Sequence, residues 1–340
     1  MKNSILFIAS LTLLSCVSNN QITGQQIENS TINSDVIAEF GASITAIDLS
    51  KHLYIIASDE YEGRETGEPG QKKAAEYLKN FYINAKIASP YGGHDYYQSI
   101  PTEHLRPNLK PSENVLAFIK GTTKPEEIIV ISAHYDHVGI QNGEIYNGAD
   151  DDGSGTVAVM KIAEAFQKAV EAGKGPKRSI LFLHITGEEK GLLGSKYYVN
   201  FPVFPLTNTV ANLNIDMIGR VDDAHKNNPN FVYLIGANKL SSELHNISEN
   251  MNSNITKLDL DYTYNDENDP NRYYYRSDHY NFAKNNIPVI FYFNGTHEDY
   301  HKPTDTPDKI NYELLAKRAQ LIFYTAWEVA NRENRILIDK

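Results

Sequence analysis

The stretch SILFLHITGEE, Ser179–Glu189, runs from a row of apolar residues into two adjacent glutamates. The row has the length of a strand and is apolar at almost every position, which is typical of a strand buried on both faces in a parallel sheet. Neighbouring side chains of an extended segment point to opposite faces, so Glu188 and Glu189 are expected to have separate tasks. One carboxylate would bind a metal while the other transfers protons. The simpler alternative is an acidic first turn of a helix.

Similar apolar runs alternate with helical patterns along most of the chain. Further strands are predicted at 114–119, 128–133, 210–215, 231–235 and 287–293, and helices at 155–170, 191–199, 241–251, 277–285 and 311–331. This alternation predicts an α/β fold, a three-layer α/β/α sandwich around a mixed, largely parallel central sheet. In such sheets the active site lies beyond the carboxyl ends of the strands.

Size and charge limit the possible functions. The chain has 340 residues and a formal net charge of −11, without any Lys/Arg-rich block, so no nucleic-acid partner is expected. Apolar residues return at helical spacing from about Ile44, and one domain is predicted over 44–340. Nothing in the sequence predicts an oligomeric state.

The N-terminus carries an export signal. Residues 1–15 combine Lys2 with an apolar stretch, and the sequence LLSC that ends at Cys16 resembles the lipobox of a bacterial lipoprotein signal. We therefore expect lipidation of Cys16, a flexible polar tether over 16–43, and an exported, membrane-anchored protein that faces the periplasm or the cell surface. An ordinary cleaved signal is the alternative. Cys16 is the only cysteine, so no thiolate remains for metal binding.

Polar side chains follow several predicted strands. His134 ends one strand, and Asp136 is suitably spaced to orient it if the histidine binds a metal. A buried histidine beside a surface aspartate is the alternative, and His137 is interpreted as a loop residue. The segment GADDDGSG contains Asp151 and Asp152 before a helix, where aspartates either cap the helix or share a cation.

Two further candidates come from the last predicted strands. Asp216 ends the run NLNID, and His301 lies in the segment YHKPTDT. The complete set offers imidazole and carboxylate ligands without thiolate, which favours zinc and also permits cobalt or manganese.

The ordered motifs AHYDH, GADDDGSG, TGEEKGLLGS, NIDMIG, RSDH and YHKPTDT resemble those of the M28 family of co-catalytic zinc aminopeptidases. The resemblance covers most of the chain from about Ile44 and implies a fold of the zinc-dependent exopeptidase type with two zinc ions. It implies that His134 and Asp216 bind the first zinc, Glu189 and His301 bind the second, and Asp151 bridges both.

The same resemblance implies the remaining roles. Glu188 matches the general base, which activates a hydroxide held between the zinc ions, and Tyr300 matches a phenol that polarises the scissile carbonyl. Asp136 matches a partner of the first-zinc histidine, and Asp152 follows the bridging aspartate through a peptide bond that is often cis in the family. The pair in RSDH, Arg276 and Asp278, matches a substrate-lining segment, with a salt-bridged helix start as the alternative.

Other functions remain open from the sequence. A glutaminyl-cyclase-like enzyme would share the fold but use one zinc and lack the histidine that His134 provides. A carboxypeptidase or aminoacylase relative would differ in whether cations or carboxylates meet the substrate. A peptide-binding lipoprotein without activity is the third alternative.

Several polar residues are expected to have structural roles. The acidic and aromatic segment 263–276 is interpreted as a surface loop, with a structural calcium site as the alternative. We expect His184, within a predicted strand, to be buried and hydrogen-bonded. The remaining histidines near the motifs, His279 and His297, are assigned to the scaffold or the surface.

Overall fold

The computed structural model describes residues 34–340, with side chains from 37 onward, so the predicted signal peptide and Cys16 lie outside the described residues. Its first helix, α1, spans Ser34–Ala42. Ile37 and Phe40 on this helix are buried, and the Phe40 ring stacks on Trp327 at 5.9 Å between centroids. The predicted tether over 16–43 is therefore wrong at its C-terminal end, because these two apolar side chains attach the segment to the domain.

The central sheet contains eight strands in the order β1-β2-β6-β3-β7-β10-β8-β9. The strands of this sheet and of a small hairpin, β4-β5, are β1 Tyr97–Ile100, β2 Ser112–Ile119, β3 Lys124–His134, β4 Gly139–Gln141, β5 Glu144–Tyr146, β6 Arg178–Ile185, β7 Thr209–Ile215, β8 Phe231–Ile235, β9 Asp259–Asp261 and β10 Val289–Phe293. The four inner strands β6, β3, β7 and β10 are parallel, whereas β2 and β8 run antiparallel to them. The predicted mixed, largely parallel sheet is confirmed.

Helices cover both faces of this sheet. After α1 they are α2 Ala46–Ile56, α3 Pro69–Asn84, α4 Gly155–Glu171, α5 Leu193–Asn200, α6 Ser242–Met251, α7 His279–Ala283 and α8 Tyr312–Asn331. Leu181 of β6 belongs to the core with Tyr198 of α5 and Phe282 of α7. Its neighbour Phe182 points the other way and contacts Phe166 of α4 at 6.4 Å between ring centroids. The predicted three layers are thus confirmed, and none of the helices within 34–340 is long and apolar enough to cross a membrane.

The expected structural role of His184 is confirmed by its contacts. His184 is fully buried in β6 and hydrogen-bonded to the Tyr82 hydroxyl at 2.6 Å, and burial lowers its pKa to about 3. In the 263–276 loop, Asp266 accepts the backbone N–H of Asn268, and Asp269 accepts those of Asn271 and Tyr273. These carboxylates stabilise turns of the loop.

Candidate metal centre

The carboxyl ends of the four inner parallel strands meet at one edge of the sheet, and the predicted metal ligands lie there. His134 is the last residue of β3, and Asp216 directly follows β7. The adjacent strands are followed by Glu188 and Glu189 after β6 and by His301 after β10. The segment between β5 and α4 contributes Asp151.

One group of donor atoms forms around His134. Its Nε2 lies 3.3 Å from Asp151 Oδ1 and 3.5 Å from Asp216 Oδ1. Its Nδ1 donates to the backbone carbonyl of Asp136 at 3.0 Å, which leaves the Nε2 lone pair free for a metal. A carboxylate oxygen of Glu188 lies within 4.8 Å of the donor atoms of His134 and Asp216.

A second group forms on the other side of Asp151. His301 Nε2 lies 2.9 Å from Asp151 Oδ2 and 3.3 Å from Glu189 Oε1. His137 Nδ1 lies 3.0 Å from the same Glu189 oxygen. His137 lies in the loop after β3, as interpreted from the sequence, but its side chain is fully buried within this group. Asp151 therefore presents one carboxylate oxygen to each group.

The donor atoms fit a metal cation. His134 Nε2, His137 Nδ1 and Glu189 Oε1 are buried and have no hydrogen-bond partner. Buried polar atoms in proteins are nearly always hydrogen-bonded, so three such atoms beside one another need another source of stabilisation. A cation supplies it, and imidazole with carboxylate is a donor set that suits zinc.

The two adjacent glutamates differ in environment as well as direction. Burial raises the pKa of Glu188 well above its ordinary value; His134 opposes this shift, and the negative charge of Glu189 adds to it. Burial would also raise the pKa of Glu189, but His137 and His301 lower it to about 2. Glu188 lines an open cavity next to Asp151 and Asp216. It is therefore the glutamate better suited to proton transfer.

Asp136 supports the site differently from the prediction. The Asp136 carboxylate was expected to orient His134, but it lies 3.8 Å from His134 Nδ1. The backbone carbonyl of Asp136 accepts the Nδ1–H of His134 instead. The carboxylate instead accepts hydrogen bonds from the Thr66 hydroxyl at 2.7 Å and from the backbone N–H of Glu188 at 3.2 Å. Asp136 thus holds the segment that carries Glu188.

Two other aspartates hold the loop around Asp151. Asp152, joined to Asp151 by a cis peptide bond, accepts the backbone N–H groups of Gly155 at 2.9 Å and Met217 at 3.0 Å. The carboxylate of Asp305 accepts the backbone N–H of Asp151 at 3.2 Å. The sequence included Asp305 in the YHKPTDT motif without assigning it a role.

Ser277 is a second residue that the sequence left without a role. Its hydroxyl donates to Asp216 Oδ2 at 2.6 Å and accepts from Asn214 Nδ2 at 2.9 Å. Ser277 therefore fixes the orientation of Asp216, whose other oxygen faces His134. Its position between Arg276 and Asp278 in the RSDH motif was the sequence feature from which a role in the site could have been inferred.

Arg64 lies beneath both ligand-bearing loops and was also missed. Its guanidinium is fully buried and donates to the backbone carbonyls of Tyr135 at 2.8 Å and Ile56 at 2.9 Å. It also donates to those of Asn147 and Gly148, each at 2.8 Å. One side chain thus links the end of β3 to the loop that carries Asp151.

Replacing Arg64 by methionine is expected to weaken both folding and metal binding. Burial lowers the pKa of Arg64 to about 10, so the side chain is charged at neutral pH. Its loss leaves several buried carbonyls unpaired, which should lower the free energy of unfolding of the metal-free protein by about 3 kcal/mol or more. Zinc affinity should fall about 10- to 100-fold, as for residues that orient metal ligands.

Arg178→Met is the matched control for this measurement. Arg178 is also fully buried and donates to the carbonyls of Val329 at 3.0 Å and Arg332 at 2.7 Å, at the amino end of β6. Chemical denaturation should show both variants destabilised, whereas competition with a zinc indicator should show weaker binding only in Arg64→Met. Equal zinc affinity in the two variants would refute the role of Arg64.

An open cavity adjoins the first donor group. Tyr300 lines it and stacks on the His301 ring at 4.0 Å between centroids. Arg276 also lines it, with its guanidinium 5.0 Å from the centroid of the Tyr273 ring. The predicted substrate contact of Asp278 is not supported, because its side chain is fully buried and hydrogen-bonded to Ser195. Burial raises the pKa of Asp278 to about 7.

Comparisons with known proteins identify similar sequences and folds. A probable leucine aminopeptidase of Trichophyton verrucosum is 30% identical over 233 residues, which are 65% of this chain and 58% of that protein. The chain thus spans less than two thirds of the length of this relative. A zinc aminopeptidase from Bacillus subtilis has a similar structure, with a TM-score of 0.65 at 17% identity over 87% of this chain and 99% of that one. The glutaminyl cyclase of Porphyromonas gingivalis is similar at a TM-score of 0.65 and 16% identity, over 83% of this chain and 97% of that one.

These structural likenesses concern the fold alone, since an aminopeptidase and a cyclase share it. The sequence provides the assignment to a family. The model of Peptidase family M28 matches residues 114–326, which include the strands of the parallel sheet and all the donor residues named above. The chain belongs to peptidase family M28.

Proposed function

We propose that this protein is a di-zinc aminopeptidase, a hydrolase that removes N-terminal residues from peptides. The observation that carries the proposal is the position of Asp151 between two donor groups. Its Oδ1 faces His134, which also neighbours Asp216, and its Oδ2 faces His301, which also neighbours Glu189. A carboxylate with one oxygen in each group suits two cations, and a single ion would leave the other group unpaired.

Different side chains around the cavity would have different roles in catalysis. Zinc, when bound, supplies Lewis acidity that activates water and polarises a carbonyl. Glu188 takes the proton from the attacking water and delivers it to the leaving amine, a role that its raised pKa favours. Burial raises the pKa of the Tyr300 hydroxyl, which therefore stays protonated and donates a hydrogen bond to the developing oxyanion.

The charge and shape of the cavity favour a free amino terminus. The acidic residues Asp151, Asp216 and Glu188 line it together with apolar and aromatic side chains, among them Met217 and Phe293. Because zinc would occupy Asp151 and Asp216, Glu188 is the carboxylate left to attract the α-amino group of a substrate. The apolar wall accepts an apolar first side chain. The name of the Trichophyton verrucosum relative, a probable leucine aminopeptidase, agrees with this preference.

The alternative enzymes fit less well. A glutaminyl-cyclase-like enzyme would lack the histidine at position 134, whereas His134 is present and lies 3.3 Å from Asp151. A carboxypeptidase needs a cation for the substrate carboxylate, whereas Arg276 is exposed at the cavity and lies over the Tyr273 ring. We therefore favour recognition of an amine.

The specificity is tested with leucyl p-nitroanilide and its N-acetylated form, with glutaminyl peptides as a third substrate. The zinc-loaded protein should hydrolyse the free amine at least about 100-fold faster than the blocked substrate, because acetylation removes the charge that the carboxylates recognise. It should form no pyroglutamyl product. Hydrolysis of both anilides at similar rates would contradict an aminopeptidase.

We also propose export and anchoring through lipidated Cys16, on the support of the LLSC sequence. In bacterial cells the protein should fractionate with membranes and carry acyl groups on its N-terminal peptide, detectable by mass spectrometry. Cys16→Ser should lose both properties. Unmodified Cys16 in the membrane-free fraction would refute the anchor.

A further inference from the structure

We infer that His137 is a protein ligand of the second metal ion, which makes the two metal positions unequal. The inference rests on the proposed di-zinc function and adds a ligand that the motif comparison does not contain. His137 directly follows Asp136 in AHYDH and is fully buried.

The distances around His137 are those of atoms that share a metal. Its Nδ1 lies 3.0 Å from Glu189 Oε1 and 3.8 Å from Asp151 Oδ2. His301 Nε2 lies 2.9 Å from the same Asp151 oxygen and 3.3 Å from the same Glu189 oxygen. Ligand atoms about 2.0 Å from a tetrahedral zinc are separated by about 3.3 Å. All four separations scatter around that value.

The contact between His137 and Glu189 does not have the geometry of an ordinary hydrogen bond. At 3.0 Å the two atoms are close enough, yet neither His137 Nδ1 nor Glu189 Oε1 has a hydrogen-bond partner. His134 Nε2, the ligand implied for the first zinc, shows the same combination of close carboxylates and no hydrogen bond. In both cases the nitrogen lies close to carboxylate oxygens without a hydrogen bond to them, as expected of atoms that share a metal ion.

The local backbone keeps space for this ring. Gly148 has a φ of +53°, and a Cβ there would lie 2.5 Å from Cγ of His137. The residue before the aspartate loop is therefore restricted to glycine both by conformation and by the position of the ring. A metal ion would pair the buried Nδ1 of this ring, which has no hydrogen-bond partner.

The two metal positions would therefore differ in their number of protein ligands. The second position has four protein donors, His137, Asp151, Glu189 and His301, as in closed zinc sites. The first has three, His134, Asp151 and Asp216, as in catalytic sites that keep a position open for water or substrate. Glu188 lies beside this first group and lines the cavity. Substrate activation therefore belongs to the first position, and the second ion is held more firmly.

The test compares zinc binding by the wild-type protein, His137→Phe and His279→Phe. Phenylalanine keeps a ring in the pocket but removes the nitrogen donor. His279 is a matched control, since it is also fully buried with both nitrogens unpartnered but stacks on Phe291 at 4.7 Å between centroids. In zinc-buffered solutions the dissociation constant of the more tightly bound zinc, at the position of His137, should rise at least about 100-fold in His137→Phe only, with that of the other zinc unchanged.

A measurement on the wild-type protein keeps the inference testable if His137→Phe does not fold. In the cobalt-loaded protein, His134 and His137 should each give a paramagnetically shifted N–H proton resonance that exchanges slowly with solvent, because both side chains are buried. His301 is partly exposed and should exchange fast. Two slow resonances are expected, and one would overturn the role of His137.

The number of bound zinc ions tests the di-zinc function, whereas the effect of His137→Phe on zinc affinity tests the role of His137. Fewer than two zinc ions per wild-type chain would overturn the di-zinc proposal. Two ions bound equally tightly by the wild-type protein and His137→Phe would leave that proposal intact and overturn only the role of His137.

Discussion

Replacing Glu188 by glutamine is expected to lower kcat for leucyl p-nitroanilide about 10³-fold, with two zinc ions still bound and little change in KM. Glutamine keeps the size of the side chain and removes its capacity to accept a proton, and general-base catalysis contributes about 10²- to 10⁴-fold. The effect should fall on kcat because Glu188 acts in the transition state. Steady-state kinetics and metal analysis of the same preparation measure both quantities.

Glu189→Gln is the matched control for this prediction. Its oxygen lies 3.3 Å from His301 Nε2, in the second donor group, whereas Glu188 lies beside the first. This variant should lose activity together with the second zinc. Full activity in Glu188→Gln, or loss of zinc from it, would show that the two glutamates have been assigned the wrong roles.

Replacing Asp151 by asparagine is expected to have the largest effect on metal content. Asparagine is neutral and has one carbonyl oxygen, so it cannot offer a negatively charged oxygen to both groups. We expect loss of at least one zinc after dialysis, first from the position of His134 and Asp216, which keeps only two protein donors, and a fall in kcat of at least about 10³-fold, because both positions share this carboxylate. Metal analysis and anilide hydrolysis provide the measurement.

Asp150→Asn distinguishes a metal effect from a disturbed loop. Asp150 is the preceding buried residue, and its oxygens accept from Gly219 N at 2.7 Å and contact His297 Nε2 at 3.2 Å. This variant should be less stable but should retain both zinc ions. Zinc retention by Asp151→Asn equal to that of Asp150→Asn would contradict the bridging role.

The strand pattern predicted much of the site because the metal residues directly follow apolar runs. His134, Asp216 and the pair of glutamates could be placed at one sheet edge from the parallel order of the inner strands. Which glutamate has which task did not follow from alternation alone. Family resemblance supplied the assignment, and burial beside the cavity supports it.

The residues that escaped prediction act through contacts distant in sequence. Arg64 binds carbonyls 71 to 84 residues away at Tyr135, Asn147 and Gly148, and backbone acceptors leave no trace in side-chain identity. His137 follows the strand end, where no regular alternation predicts its direction. Only the folded loop, with Gly148 beside the ring, shows that this side chain faces the donor group.

The most direct test of the di-zinc account is a titration of the chelated, metal-free protein with zinc, followed by leucyl p-nitroanilide hydrolysis. The account predicts no activity without metal and a rise to the full rate that ends at two zinc equivalents per chain. Full activity at one equivalent, or activity that persists in the metal-free protein, would contradict it.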